Sequence, residues 1–134
     1  MTSTLRRRSA AALAAAAGFG FGIPGAVGLR HFARDRGIWI LAGFPTYGEG
    51  PFGNIGLDTN TPLLAGFVAV CAAEVRLAAA LWRGGPKSMA LSHSLLPVGL
   101  AYWSGFALPF GFLFGIGRTA LLLGRPRRGA AAVR

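Results

Sequence analysis

Three long apolar runs, each edged by arginine or lysine, set the terms for any fold this chain can take. They cover residues 9 to 29, 62 to 82 and 89 to 124, and the first follows directly on Arg6-Arg7-Arg8. A helix needs about 20 apolar residues to cross a hydrocarbon core of about 30 Å, and each run meets that length. Only 13% of the 134 residues are charged, where a water-soluble domain carries roughly 25%. Fourteen Lys and Arg against four acidic residues give a net charge of +10. A nucleic-acid binder gathers such bases on one folded face. Here they mark the margins of apolar runs, which is the signature of membrane topology, so no nucleic-acid partner is expected. The expected counterpart is the anionic headgroup layer of a bilayer, at about 1 kcal/mol per nearby base.

The last run is too long for one span. Its 36 residues would make a helix of about 54 Å. SGFALPFG, residues 104 to 111, supplies a break, with Pro109 set between Gly105 and Gly111. The spacing predicts two short helices, about 89–107 and 110–124, joined as a hairpin. With four spans, nine bases share one side (Arg6, Arg7, Arg8, Arg83, Lys87, Arg125, Arg127, Arg128 and Arg134) and three lie opposite (Arg30, Arg34 and Arg36). With three spans the last four cross over, leaving five against seven. The positive-inside rule selects four spans with both termini cytoplasmic. The fold expected is therefore all-α: an integral membrane four-helix bundle in one domain, multi-pass in the cell inner membrane. A Gly/Pro/aromatic-rich outer loop covers residues 30–61, and a basic tail covers residues 125–134. The final helix, at about 15 residues, requires a tilted neighbour or a thinned bilayer.

The first run also resembles a signal peptide, and its arginines a twin-arginine signal. The one plausible cleavage site, after Ala26, has Pro24 where a small residue belongs, so a retained span is expected. Gly18 and Gly22 stand at GxxxG spacing and favour close helix contact. In the second run Thr61 is the expected N-cap and Pro62 the first helical residue. RGGPK, residues 83 to 87, ends that helix.

Within the second run, CAAEVRLAAALW places Glu74 and Arg76 in hydrocarbon. An ionised residue at the centre of a span costs roughly 2.5–3.5 kcal/mol, so each charge needs relief. Arg76 lies seven residues from Arg83 and can extend toward the headgroups; Glu74 lies ~13 Å in and cannot. At 100° per residue the two point about 200° apart and cannot pair. Arg76 shares its face with Ala65, Ala69, Ala72, Ala73, Ala79 and Ala80, a small-residue face expected to pack on another helix. Arg118, on the side of its helix carrying Gly111 and Gly115, is one candidate partner for Glu74. His93 is the other, where Pro97 leaves the His93 carbonyl without its helical donor. Glu74, Arg76, His93 and Arg118 are thus expected as an intramembrane polar cluster centred on Glu74 and Arg118. Two roles stay open: fixing helix register, or handling a proton or ligand.

In the outer loop, GIWILAGF is too short to span and is expected at the interface or the bundle mouth. FPTYGEGPFGNIG reads as consecutive turns. Phe44, Tyr47, Glu49, Phe52 and Asp58 are candidates for a recognition surface; the competing reading has the aromatics anchor the loop at the lipid–water boundary. GEG lacks the helix and lysine of a phosphate loop. One cysteine, Cys71, allows no disulfide and no redox pair, and His31 and His93 are isolated, so no metal and no cofactor are expected. No catalytic triad or paired carboxylate appears.

The order of a short first helix, GFPTYGEGPFG and then LLAGFVAVCAAEVRLAAALWRG resembles the DoxX-like family of small four-helix bacterial membrane proteins. The Ala/Gly/Arg-rich composition suits a high-GC genome of actinobacterial type. Glu74 and LAAALWRG match the acid, aliphatic segment and basic turn of that family's second helix. The resemblance implies a carrier or redox accessory using Glu74 toward a small lipophilic or weakly acidic substrate; the long loop and Arg76 depart from the pattern. Beside it stands a non-enzymatic reading: a small polytopic protein that supports a membrane-protein partner or assembles with its own copies.

Overall fold

A computed structural model describes residues 2–48 and 50–124. The first helix, α1, runs over Ser3–Asp35 and is longer than the apolar run. Alanine and arginine are both strong helix formers, and the basic flanks continue the helix, which carries Pro24 and five glycines within its length. Thr2 caps its start by accepting from the Leu5 amide at 3.3 Å. Arg36 ends it in the left-handed region, donating to the Phe32 carbonyl at 2.9 Å.

The outer segment is more regular than its turn-rich sequence predicts. Strands β1 (Ile40–Leu41) and β2 (Phe44–Pro45) pair antiparallel, with Ile40 opposite Pro45 and Leu41 opposite Phe44. Ala42 and Gly43 join them with φ of 51° and 84°, the two positive values a tight hairpin turn requires. A single turn of helix, α2 (Pro51–Asn54), follows.

Helix α3 covers Thr61–Arg83, α4 covers Ser88–Gly105 and α5 covers Gly111–Leu123. The α3 cap is Asn60 rather than Thr61: its side chain accepts from the Leu63 amide at 2.8 Å, placing Pro62 in the first turn. Lys87 stands at the α4 cap position, and no side chain caps that helix. The break between α4 and α5 falls at residues 106–110, where Ala107 and Phe110 both take positive φ.

The four longer helices close a ring: α1 packs on α3 and α5, and α4 packs on α3 and α5. On α3 the inward stripe is Leu64, Phe67, Cys71, Glu74, Ala78 and Leu81, alternating steps of three and four as a packed seam requires. On α1 the buried residues are small: Ala10, Ala11, Ala14, Ala17, Gly18, Gly25 and Gly28. A Cβ at Gly18 would lie 2.6 Å from Val75 Cγ2 and 2.9 Å from the Cys71 carbonyl oxygen, so glycine sets how closely α1 approaches α3. Three large side chains of α1 point the other way, with Phe19, Ile23 and Val27 54%, 62% and 44% exposed.

On α1 this arrangement, small residues inward and large apolar residues outward, is what packing in lipid favours. Helices α1 and α3 are the two, among the described residues, long and apolar enough to cross a membrane, and each is only one-third buried over its most apolar stretch. A core helix of a soluble protein would hide such a stretch. Phe112, Leu113 and Ile116 on α5 and Val98 on α4 continue the exposed apolar surface around the ring.

Candidate functional site

Glu74 and Arg118 meet at the centre of the ring as an ion pair, 1% and 0% exposed. Each arrives there by its helical position. Glu74 occupies the α3 seam between Cys71 and Ala78, and Arg118 follows Gly111 and Gly115 on the one buried face of α5. The guanidinium donates through Nη1 to Glu74 Oε2. Through Nη2 it donates to the backbone carbonyl of Ser92 on α4 at 3.3 Å. One side chain thereby ties three helices together.

Three buried polar atoms of this group have no hydrogen-bond partner among the described residues: Glu74 Oε1, Ser92 Oγ and Arg118 Nε. Oε1 accepts, Nε–H donates, and a serine hydroxyl does either. An ion pair surrounded by such atoms has the complementarity to hold a small group that both donates and accepts, or a proton moving between oxygens.

Trp103 lies on the same buried face of α4 as Ser92, toward the loop end. It is 2% exposed, and a Cβ at Gly111 or Gly115 would approach its indole to 2.6 Å. Those glycines therefore admit both the indole and the α4–α5 contact. Tyr102, the neighbour of Trp103, packs on Phe52, the two rings edge to face with centroids 5.9 Å apart.

Arg76 and His93 do not join the cluster. Both are exposed. Arg76 lies two positions from Glu74 and so faces outward, together with Ala65, Ala69 and Ala72, which are exposed as well. The alanine face expected to pack on a neighbouring helix is thus not the inner face of this ring, because α1 supplies the small residues and α3 the larger ones. On α4 the buried positions are Ser88, Ser92, Gly99, Trp103 and Gly105. His93 stands a step around the helix from that face, and Arg118 takes the carbonyl of Ser92 instead. The spacing of Ser88, Ser92, Gly99 and Trp103 on one helical face is the signal that marks Ser92 and Trp103 in the sequence.

The outer-loop residues divide. Tyr47 is buried in the bundle mouth, not displayed for recognition: its hydroxyl donates to the Phe21 carbonyl at 3.0 Å, and its ring lies 5.0 Å from Phe67. Burial, and behind it the nearby Cys71 thiol, raises the Tyr47 phenol well above its ordinary range. Phe52 is half-buried and packs edge to face on Phe106 with centroids 5.2 Å apart. Both rings are thus held by the protein rather than by a lipid boundary. Thr59 locks the segment by donating its hydroxyl to the Tyr47 carbonyl at 3.1 Å. Asp58 is exposed. Phe44 forms part of β2; its side chain, with Glu49 and the tail 125–134, lies outside the described residues. Among the described residues no three His, Cys, Asp or Glu side chains gather as a metal site.

In comparisons with protein-family models, with curated proteins and with solved structures, nothing matches this chain.

Proposed function

We propose that this is a small polytopic protein of a bacterial inner membrane, crossing it four times with both termini cytoplasmic, and that it acts as a non-enzymatic accessory to a membrane partner. The observation that carries this reading is the outward alanine face of α3 with Arg76 set in it. Ala65, Ala69, Ala72 and Arg76 follow one another at steps of four, three and four, exposed on a helix whose opposite face is filled. Small residues at such spacing let another helix approach closely, and a cation inside the apolar zone is relieved by a carboxylate on that helix. The expected occupant is therefore a partner's membrane helix with an acid facing Arg76. Glu74 and Arg118, neutralised inside the ring, act in this reading as the clamp that keeps α3 in register.

The test is purification in mild detergent with lipid, followed by identification of co-purifying proteins, with Ala72→Phe and Arg76→Ala as variants. Both leave the inner seam untouched. Loss of the same partner from both, with the ring still folded, is the expected result; retention by both refutes the docking face. A C-terminal reporter that signals from outside the cytoplasm refutes the four-span topology.

A second reading is favoured by the three unpartnered polar atoms around the ion pair. In it the chain is a carrier or redox accessory, as the DoxX-like resemblance implies, with Glu74 taking a proton or a small weakly acidic, lipophilic substrate. Uptake that depends on pH and disappears in Glu74→Gln, while the protein still folds, supports this reading over the first.

A further inference from the structure

The end of the ring opposite the outer loop carries a cleft of about 210 Å³. Its polar side is formed by Ser3, Arg6, Arg7 and Ser88, and its apolar side includes Leu121 and Leu122. Four helices contribute: the starts of α1 and α4 and the ends of α3 and α5. Two helix N-termini therefore open into one space, each with the partial positive charge and free amides that attract anions. The first turn of α4 has no side-chain cap.

Charge at this end is unbalanced. Arg6, Arg7, Arg8, Arg83 and Lys87 gather here, and among the described residues no carboxylate accompanies them. Asp35 and Asp58 lie at the loop end, and Glu74 is taken by Arg118. Arg8 is engaged by the Trp82 ring at 5.1 Å. Arg6 and Arg7 are different: both are half-buried and folded against backbone, Arg7 beside Gly84 and Arg6 beside Gly124. Arg7 Nε is buried without a hydrogen-bond partner. Two partly desolvated guanidiniums fixed at the mouth of a cleft are a receptor for a tetrahedral oxyanion, which offers several acceptor oxygens to their planar forks.

We propose that this cleft binds phosphate, either as the phosphodiester of an anionic lipid or as a free phosphate ion. Its volume is that of about seven waters at roughly 30 Å³ each, room for a phosphodiester and its glycerol. Leu121 and Leu122 offer the beginnings of acyl chains a surface below. The site is separate from the α3 docking face; only its lipid source rests on the membrane reading.

The test uses the full chain in neutral detergent. Native mass spectrometry with added phosphatidylglycerol or phosphatidylcholine reads lipid retention, and titration with inorganic phosphate reads the free ion. Phosphatidylglycerol is expected to be retained over phosphatidylcholine. The double variant Arg6→Gln, Arg7→Gln is expected to weaken retention roughly 25-fold, from about a fivefold loss for each arginine. The loop-end double variant Arg30→Gln, Arg34→Gln is expected to leave it unchanged. Phosphate binding lost in the first variant but not the second, without lipid preference, assigns the site to the free ion and counts against the membrane-level source alone. Equal behaviour of the two double variants in both assays overturns the proposal. Should the first variant fail to fold, the wild-type chain still decides: no phosphatidylglycerol preference together with no phosphate binding overturns it equally.

Discussion

Removing one member of the central ion pair tests the architecture most directly. In Arg118→Met the side-chain volume is largely kept, but the Glu74 carboxylate, 1% exposed, loses its counter-ion. Breaking a buried pair from one side costs about 3–5 kcal/mol, because a charge is left without compensation. The same change frees the Ser92 carbonyl of its contact with Nη2, a hydrogen bond to a charged donor worth roughly 1.5–3 kcal/mol that overlaps with the first figure. In Glu74→Gln the amide oxygen still accepts from Nη1 but the guanidinium stays charged, at about 3 kcal/mol. The double variant carries neither charge, and replacing both members of a buried pair is often close to neutral. Its expected cost is about 1–3 kcal/mol, well below the sum of the singles. The measurement is reversible unfolding in mixed micelles, followed by tryptophan fluorescence, across the four members of the cycle. A coupling of at least about 2 kcal/mol is expected. Additivity within about 0.5 kcal/mol would mean that Glu74 and Arg118 do not hold one another, and the account of the core would fail.

Two further outcomes follow from packing and burial. Gly18→Val should cost about 1–3 kcal/mol by thermal melting in detergent, since the added carbons meet the Cys71 carbonyl and Val75. Gly20→Ala, where a Cβ meets nothing within 4 Å, should be neutral or gain up to about 1 kcal/mol. For Tyr47 the phenol ionises near pH 10 in the unfolded chain and higher in the fold, because burial disfavours the phenolate. The unfolded chain therefore releases its proton first, and stability contributed by Tyr47 is lost as pH rises above about 10, by up to about 1.4 kcal/mol per pH unit. Tyr47→Phe should flatten that alkaline slope while costing about 1 kcal/mol at neutral pH for the bond to Phe21. An unchanged slope would place the phenol in water.

The helical class was legible because apolar runs of this length leave a backbone few other ways to satisfy its amides. The opposition of Glu74 and Arg76 follows from helical pitch alone, and it directs Glu74 to a group on another helix. Local signals do not, however, tell inward from outward when both faces are apolar. The alanines of α3 and those of α1 are alike in sequence, yet one set faces out and the other in, depending on which neighbour supplies the bulk. The hairpin at Ile40–Pro45 hides for a different reason: its strands are two residues each, and an alanine in its turn takes a φ that glycine or asparagine usually supplies. Ser92 enters the centre through its backbone, and a carbonyl carries no signature in the side-chain pattern.

The clamp across three helices also sets an order of events during synthesis. Glu74 emerges from the ribosome 44 residues ahead of Arg118, an interval of roughly 2–9 s at 5–20 residues per second. Throughout it the acid is already within the second apolar segment while its counter-ion is still untranslated. Until the final helix is made, nascent α3 holds a carboxylate without the guanidinium that neutralises it in the finished ring, and a chain cut short before that helix keeps the carboxylate stranded.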